Sequence, residues 1–271
     1  VEVLGDLPDL NDYFSCISRV NKLRHTRIQL GFDRIVGTPL AAPPVAAKDA
    51  AIQLLYKKKP NEIYEFLPAS VVYGEGIFIE LKEDKIKNWL TNPTLIEHIS
   101  PLYQRLGRLV VPESGSSTGP QWLARMVLVH TLSHAIINQA VFECGYSAAS
   151  LSERLYISSD SGAPMAGVLI YTAAGDSEGT LGGLVELASD EKRIENLLRR
   201  AIGSCRWCSA DPICSEASTR GGQGPNSQNF AACHGCVLIP ETACECFNTL
   251  LDRTLVTGNP ENPTLGFFNK S

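Results

Sequence analysis

The cysteines carry the clearest chemistry in this sequence. There are nine, and Cys205, Cys208, Cys214, Cys233, Cys236, Cys244 and Cys246 all fall within residues 205–246. They read Cys205-x2-Cys208-x5-Cys214, then Cys233-x2-Cys236-x7-Cys244-x-Cys246. A C-x2-C turn lets two thiolates converge on one ion, and a second pair from farther along the chain closes a tetrahedron. Such clustering in a chain of this size, without a secretory signal, points to metal rather than disulfides. A four-thiolate site has no place for water and is structural, with metal binding contributing on the order of 10 kcal/mol to folding. The clustered cysteines exceed one ligand set and are too few for a second unless His234 joins. Spacing favours Cys233, Cys236 and Cys244, with Cys208 or Cys214 completing the set and Cys205 and Cys246 spare.

Two further constellations could act. His130 and His134 form an HxxxH pair, which on a helix puts both imidazoles on one face, as in zinc peptidases. Those peptidases place Glu directly after the first His, whereas Thr131 stands here, so hydrogen bonding within the fold is the expectation. Gly175, Asp176, Ser177, Glu178 and Gly179 match GxSxG after an apolar run, the context of a nucleophile elbow. In that fold the acid and His follow the serine, and the one downstream histidine is His234. The preferred reading is a glycine turn whose Asp176 and Glu178 cap the following helix. A hydrolase using Ser177 with His130 or His134 is the rival reading.

The elements that must position these groups follow from apolar periodicity. Tyr13, Phe14, Ile17, Val20 and Leu23 have the spacing of one helix face, giving a helix from Asp12 to Leu23 with Arg19 and Lys22 on its other side. Residues 27–36 read as extended, the prolines at 39, 43 and 44 as a loop, and Lys57, Lys58 and Lys59 as an exposed turn. Residues 75–81 read as a strand, followed by helices at 83–90 and 95–109. The segment from Val111 to Pro120 reads as a boundary or exposed loop. A long helix spans Trp122 to Cys144, with Gly145 placed for a left-handed cap. Ser150 and Glu153 have capping-box spacing for another helix. Val168 to Tyr171 reads as a buried strand, Leu184 to Leu187 and Asp190 to Ile202 as helices, and Phe247, Leu250, Leu251 and Leu255 as a last helical pattern. The expected fold is mixed α/β (α+β), helix-rich, with a small buried sheet and a zinc-stapled C-terminal region. The expected division is 1–111, a mixed helix and strand region, and 112–271, a zinc-binding region containing the cysteines at 205–246.

Charge and length narrow the function. The chain has 271 residues with 24 Lys+Arg against 29 Asp+Glu, a formal charge of -5. This is not the basic footprint of an autonomous nucleic-acid binder. No apolar run reaches the roughly 18 residues of a membrane span, and the first residues lack the basic start and apolar centre of a signal peptide, so a cytoplasmic protein is expected. No GxxxxGK[ST] phosphate loop occurs, which assigns any ATP hydrolysis to another chain. The chain opens with Val and reads as a piece of a longer one.

HTLSHAIINQAVFECGYSAASLSERLY, GVLIYTAAGDSEGTLGGL, WCSADPIC and ACHGCVLIPETACECFNTLLDR, in that order, resemble the C-terminal half of DrmB-type proteins of the DISARM anti-phage defence system. RIQLGFDRIV and GEGIFIEL extend the resemblance over nearly the whole chain. The related zinc-binding domain (MZB) is fused to the C-terminus of MrfA-type and Hrq-type DNA-repair helicases. The resemblance implies a non-catalytic, zinc-binding subunit that docks on a SNF2-like helicase of the DrmA type and assists DNA engagement. Its zinc ligands would come from Cys208, Cys214, Cys233, Cys236 and Cys244. Cys205 and Cys246 have no clear counterpart in that pattern. Direct DNA contact, if made, is expected at Arg19, Lys22, Arg199 and Arg200, whose charges could neutralise phosphates. A zinc-bearing accessory subunit of another DNA-repair or restriction assembly is a further alternative.

Overall fold

The computed structural model describes residues 2–3, 10–28, 68–106, 119–172 and 183–269. Five antiparallel strands form one sheet in the order β1-β2-β3-β5-β4: β1 (Glu2–Val3), β2 (Phe14–Ile28), β3 (Ala69–Leu81), β4 (Leu151–Ser158) and β5 (Met165–Thr172). The described helices are α1 (Glu83–Trp89), α2 (Pro93–Leu106), α3 (Pro120–Cys144), α4 (Gly183–Leu187), α5 (Glu191–Ser204) and the short α6 (Thr254–Thr257). This is the mixed α+β architecture expected from the sequence. The division near residue 111 falls outside the described residues, and strands from either side of it pair in this sheet, Ile77 opposite Ile170 and Ile79 opposite Val168.

Strand β3 shows why the sheet forms here. Ile77, Ile79 and Leu81 alternate along it and are buried, so one face seals the core while Phe78 and Glu80 point to the other. A Cβ at Gly76 would come within 2.7 Å of the Ile170 carbonyl oxygen, so the close approach of β5 requires glycine there.

Two segments depart from the periodicity reading. The expected helix from Asp12 to Leu23 is strand β2, so Arg19 and Lys22 stand on a strand. Its register against β3 shifts between Phe14 and Cys16 and again between Val20 and Leu23. A bulge adds a residue to the two-residue alternation, which places Phe14 and Ile17 on one buried face at a spacing that imitates a helix. The capping-box helix expected at Ser150 and Glu153 is strand β4. Ser147 instead caps a single 3-10 turn, Ala148–Ser150, through the Ala149 N–H at 3.3 Å.

Helix α3 is buried almost all round, from Leu123 to Ala140, as a helix must be when it is enclosed on every side. It packs against α2, α5, β4 and β5 and ends at Gly145, which adopts φ 71° as the expected left-handed cap. Helix α5 starts at Asp190, whose carboxylate accepts from the Lys192 and Arg193 N–H groups at 2.8 and 3.3 Å. It buries Ile194, Leu197, Leu198, Ala201 and Ile202.

Residues 205–269 form few regular elements and depend on side chains to satisfy the backbone. Asn229 donates to the Asn248 carbonyl at 2.7 Å and accepts from the Leu251 N–H at 3.0 Å. Asn248 bonds both polar groups of Ile239. The buried Asp252 carboxylate accepts from the Ala231 and Thr254 N–H groups and meets His98 Nε2 at 2.7 Å. The helical pattern expected from Phe247 to Leu255 is instead irregular chain, with positive φ at Phe247, Asn248 and Leu250, and only Thr254–Thr257 is helical. The tail ends in an aromatic cluster in which Phe267 and Phe268 pack on Tyr13, Phe14 and Trp89.

The tail also closes along the β4 side of the sheet. The Glu153 N–H donates to the Ala243 carbonyl at 3.1 Å, and the Leu155 N–H donates to the Glu245 carboxylate at 2.8 Å. Among the described residues no helix is long and apolar enough to cross a membrane.

Candidate metal centre

The chain after α5 folds back so that two cysteine turns face each other. The Sγ atoms of Cys208, Cys214, Cys233 and Cys236 all lie within 4.8 Å of one another. Cys208 and Cys233 are 3.5 Å apart, Cys214 and Cys236 3.8 Å, and Cys233 and Cys236 3.8 Å. Zinc–thiolate bonds of about 2.3 Å in a tetrahedron set sulfur–sulfur edges of about 3.8 Å. The donor set therefore fits a zinc ion in both size and chemistry.

The surroundings supply what thiolates need. The Cys233 N–H donates to Cys236 Sγ at 3.1 Å, the Ala210 N–H to Cys208 Sγ at 3.4 Å and the Gln223 amide to Cys214 Sγ at 3.6 Å. Such outer contacts orient ligands and stabilise their charge. A Cβ at Gly235 would stand 3.0 Å from Ser209 Oγ and 3.5 Å from Cys208 Sγ, so this glycine lets the second knuckle close over the first. Asp211 shapes the first knuckle by accepting from the Cys208 N–H at 2.9 Å and the Ser215 N–H at 3.1 Å. It is paired with buried Arg253, which also donates to the Cys205 carbonyl at 3.1 Å.

Without metal, the thiols share charge unequally. The hydrogen bond from Cys236 holds Cys214 down at about 5 against the cost of burial. The same contact, with burial, pushes Cys236 far up. Burial pushes Cys233 up to about 11.

Cys244, grouped with these ligands from the sequence, stands elsewhere. It lies with His130, His134 and Glu153, whose ligand atoms again fall within 4.8 Å of one another. Cys205 and Cys246 are in neither group. Cys205 is buried, its thiol pushed up to about 12 by burial. His234 is exposed between the two knuckle cysteines.

The HxxxH pair is buried as expected of a pair bonded within the fold. His130 Nδ1 meets the Leu250 carbonyl at 3.2 Å and His134 Nδ1 the Val237 carbonyl at 2.9 Å. Residues Gly175, Asp176, Ser177, Glu178 and Gly179 lie outside the described residues. Of their flanks, the Leu184 N–H and the Tyr146 hydroxyl both donate to buried Glu75, whose own N–H donates to Thr172. The four basic residues considered for DNA fall on two elements. Arg19 and Lys22 are on β2, with Lys22 over the Tyr73 ring. Arg199 and Arg200 are on α5, paired with Glu195 at 3.0 Å and Glu143 at 2.6 Å.

Sequence reasoning missed Glu153 as a member of the histidine group and Asp211, Gln223 and Arg253 around the knuckles. Glu153 and Arg253 meet their partners far along the chain, whereas Asp211 and Gln223 act within nine residues of their cysteines but belong to no ligand spacing.

Residues 132–237 match the family model of the MrfA Zn-binding domain, MZB. That range contains all four knuckle cysteines. The chain is also 33% identical over 269 residues to DISARM protein DrmB of Bacillus paralicheniformis, covering 99% of this chain and 45% of that relative. It thus spans about half the length of the curated relative it matches. The match to a zinc-binding domain and the sulfur tetrahedron together fit zinc binding by this chain.

Proposed function

We propose that this homologue of DISARM protein DrmB is a non-catalytic, zinc-stapled subunit of a DISARM-like anti-phage defence complex. It docks on a SNF2-like helicase subunit of the DrmA type and assists that subunit in engaging DNA. The observation that carries the reading is the tetrahedron of Cys208, Cys214, Cys233 and Cys236, set inside a stretch that matches the MrfA Zn-binding domain, in a chain similar to DrmB from end to end.

Four thiolates saturate zinc, which supplies folding energy and leaves no coordination site for a substrate. The chain's own residues do the rest. Asp211, Gln223 and Arg253 orient the knuckles, Asn229 and Asn248 brace the tail internally, and Asp252 fixes it against His98 of α2 and Thr131 of α3. With a formal charge of -5 over the whole chain, DNA contact falls to the local cations Arg19, Lys22, Arg199 and Arg200.

The test is metal analysis of the purified chain together with reconstitution. The chain is mixed with a SNF2-like helicase of the DrmA type, and complex formation and DNA affinity are measured. Stable association that raises DNA affinity supports the reading. A chain that holds zinc yet neither binds that helicase nor alters its DNA affinity refutes the docking role, and turnover of an ester or peptide by the purified chain favours the Ser177 hydrolase.

A further inference from the structure

The second group of ligand atoms is built from α3, β4 and the tail. His130 Nε2 is 3.1 Å from Cys244 Sγ and 3.1 Å from Glu153 Oε1, and His134 Nε2 is 3.4 Å from the same carboxylate oxygen. Both histidines and Glu153 have side chains with no exposed surface, and Cys244 is buried. The two imidazoles spend Nδ1 on backbone carbonyls, which places a proton there, so that each neutral ring aims the lone pair of Nε2 at the centre. His134 Nε2 and Glu153 Oε2 have no hydrogen-bond partner. Two imidazole nitrogens, a carboxylate and a sulfur thus converge in a place without water-exposed surface, an arrangement that a cation among them, either a metal ion or a second ring proton, would balance.

We propose that His130, His134, Glu153 and Cys244 hold a second divalent transition-metal ion of the zinc class, distinct from the four-cysteine site. Two neutral imidazoles, one carboxylate and one thiolate make a charge-balanced shell around a dication, which removes the cost of burying it. Ligand bonds of about 2.0–2.3 Å set tetrahedral edges of about 3.3–3.6 Å for this mixed shell. The observed separations lie within a few tenths of an ångström of these. The outer contacts are those of a metal site. Each histidine is oriented by a carbonyl, and the Cys246 and Asn248 N–H groups donate to Cys244 Sγ at 3.3 and 3.2 Å. A groove of about 730 Å³ between β2, β4, β5 and the tail has Glu153 and Cys244 among its lining residues.

The same atoms do not form a cysteine nucleophile relay. Such a relay needs the thiol and the acid on opposite ring nitrogens of one histidine, whereas Cys244 and Glu153 both meet Nε2 of His130. Four protein ligands also close the shell, so the ion is structural. It ties residues 130 and 134 of the central helix to residue 244 of the tail, a span that the four-cysteine site does not bridge.

The test uses the full chain, produced with zinc. The metal-to-protein ratio and the X-ray absorption of the metal are measured for wild type, His134→Gln, Cys244→Ser and Cys236→Ser. The expected result is about two zinc ions per wild-type chain, with a shell of mixed sulfur and nitrogen or oxygen. His134→Gln and Cys244→Ser should each lose one ion and leave a purely sulfur-ligated one. A wild-type chain holding one ion in an all-sulfur shell overturns the proposal, even if neither variant folds. Retention of both ions by His134→Gln and Cys244→Ser overturns it as well. A single ion lost in His134→Gln but kept in Cys236→Ser supports this site and refutes the four-cysteine site, so the two readings fail separately.

Discussion

Replacing Asp252 by Asn tests the pair that anchors the tail to helix α2. The Asp252 side chain has no exposed surface, and that of His98 is 13% exposed, with Nε2 at 2.7 Å from the carboxylate. Burial lowers the affinity of His98 for a proton, but the Asp252 hydrogen bond and charge outweigh it, and the net shift is upward from 6.5. Because the folded value lies above the unfolded one, protonated His98 stabilises the native state fully below about pH 6.5. That stabilisation is lost as pH rises through the raised folded value. Asparagine keeps an oxygen for the Ala231 and Thr254 N–H groups, so the substitution removes mainly the ion pair. A hydrogen bond to a charged group contributes about 1.5–3 kcal/mol, and D252N should cost about 2 kcal/mol at about pH 6. Urea unfolding with excess zinc, run on both chains at about pH 6 and about pH 9, reads the difference. The gap between wild type and D252N should narrow at the higher pH. A gap that is constant, or that widens as pH rises, would show that His98 is not charged through Asp252 and would refute the reasoning.

Cys236→Ser should abolish metal binding at the knuckles and remove folding free energy on the order of 10 kcal/mol, measured as loss of cooperative melting on circular dichroism. Phe268→Ala, which empties a fully buried ring position against Tyr13, Phe14 and Phe267, should cost about 3–5 kcal/mol in a denaturant titration. Glu83→Ala leaves buried Arg125 without the carboxylate that it meets at 2.5 and 2.7 Å. The partial exposure of Glu83 limits the expected loss to about 1–3 kcal/mol, again by denaturation. Charge reversal at Arg19, Lys22, Arg199 and Arg200 together should weaken DNA binding by the assembled complex and flatten its salt dependence; unchanged affinity and slope would remove direct contact at these four.

Elements with unbroken periodicity were legible in the sequence. Helix α3 announced itself through a long apolar run closed by Gly145, α5 through Asp190 and its buried stripe, and β3 and β5 through short apolar segments. The sequence pattern of β2 misled because its bulges stretch the alternation to a three-residue step. Phe247 to Leu255 misled because the backbone there is held by Asn229 and by the bonds of Asn248 and Asp252 to Ile239, Ala231 and His98, partners outside that window. The metal chemistry was legible as a class from the C-x2-C turns. The choice between Cys214 and Cys244 was not, since the return of the chain past α3 decides it. HxxxH was visible as a pair, but its acid, Glu153, is supplied by a strand that reads locally as a helix start.

The contacts that the tail makes along β4 also determine what the sheet cannot do. Glu153 and Leu155 share a parity on that strand, and both of their N–H groups are already engaged, one by the Ala243 carbonyl and one by the Glu245 carboxylate. An incoming extended segment, whether from a second molecule or from a stretched peptide, finds those donors taken and a carboxylate in its path. Polymerisation by strand-to-strand stacking is blocked at this border for as long as the cysteine-rich tail stays folded, so loss of metal would unmask a template for aggregation as well as unravel a loop.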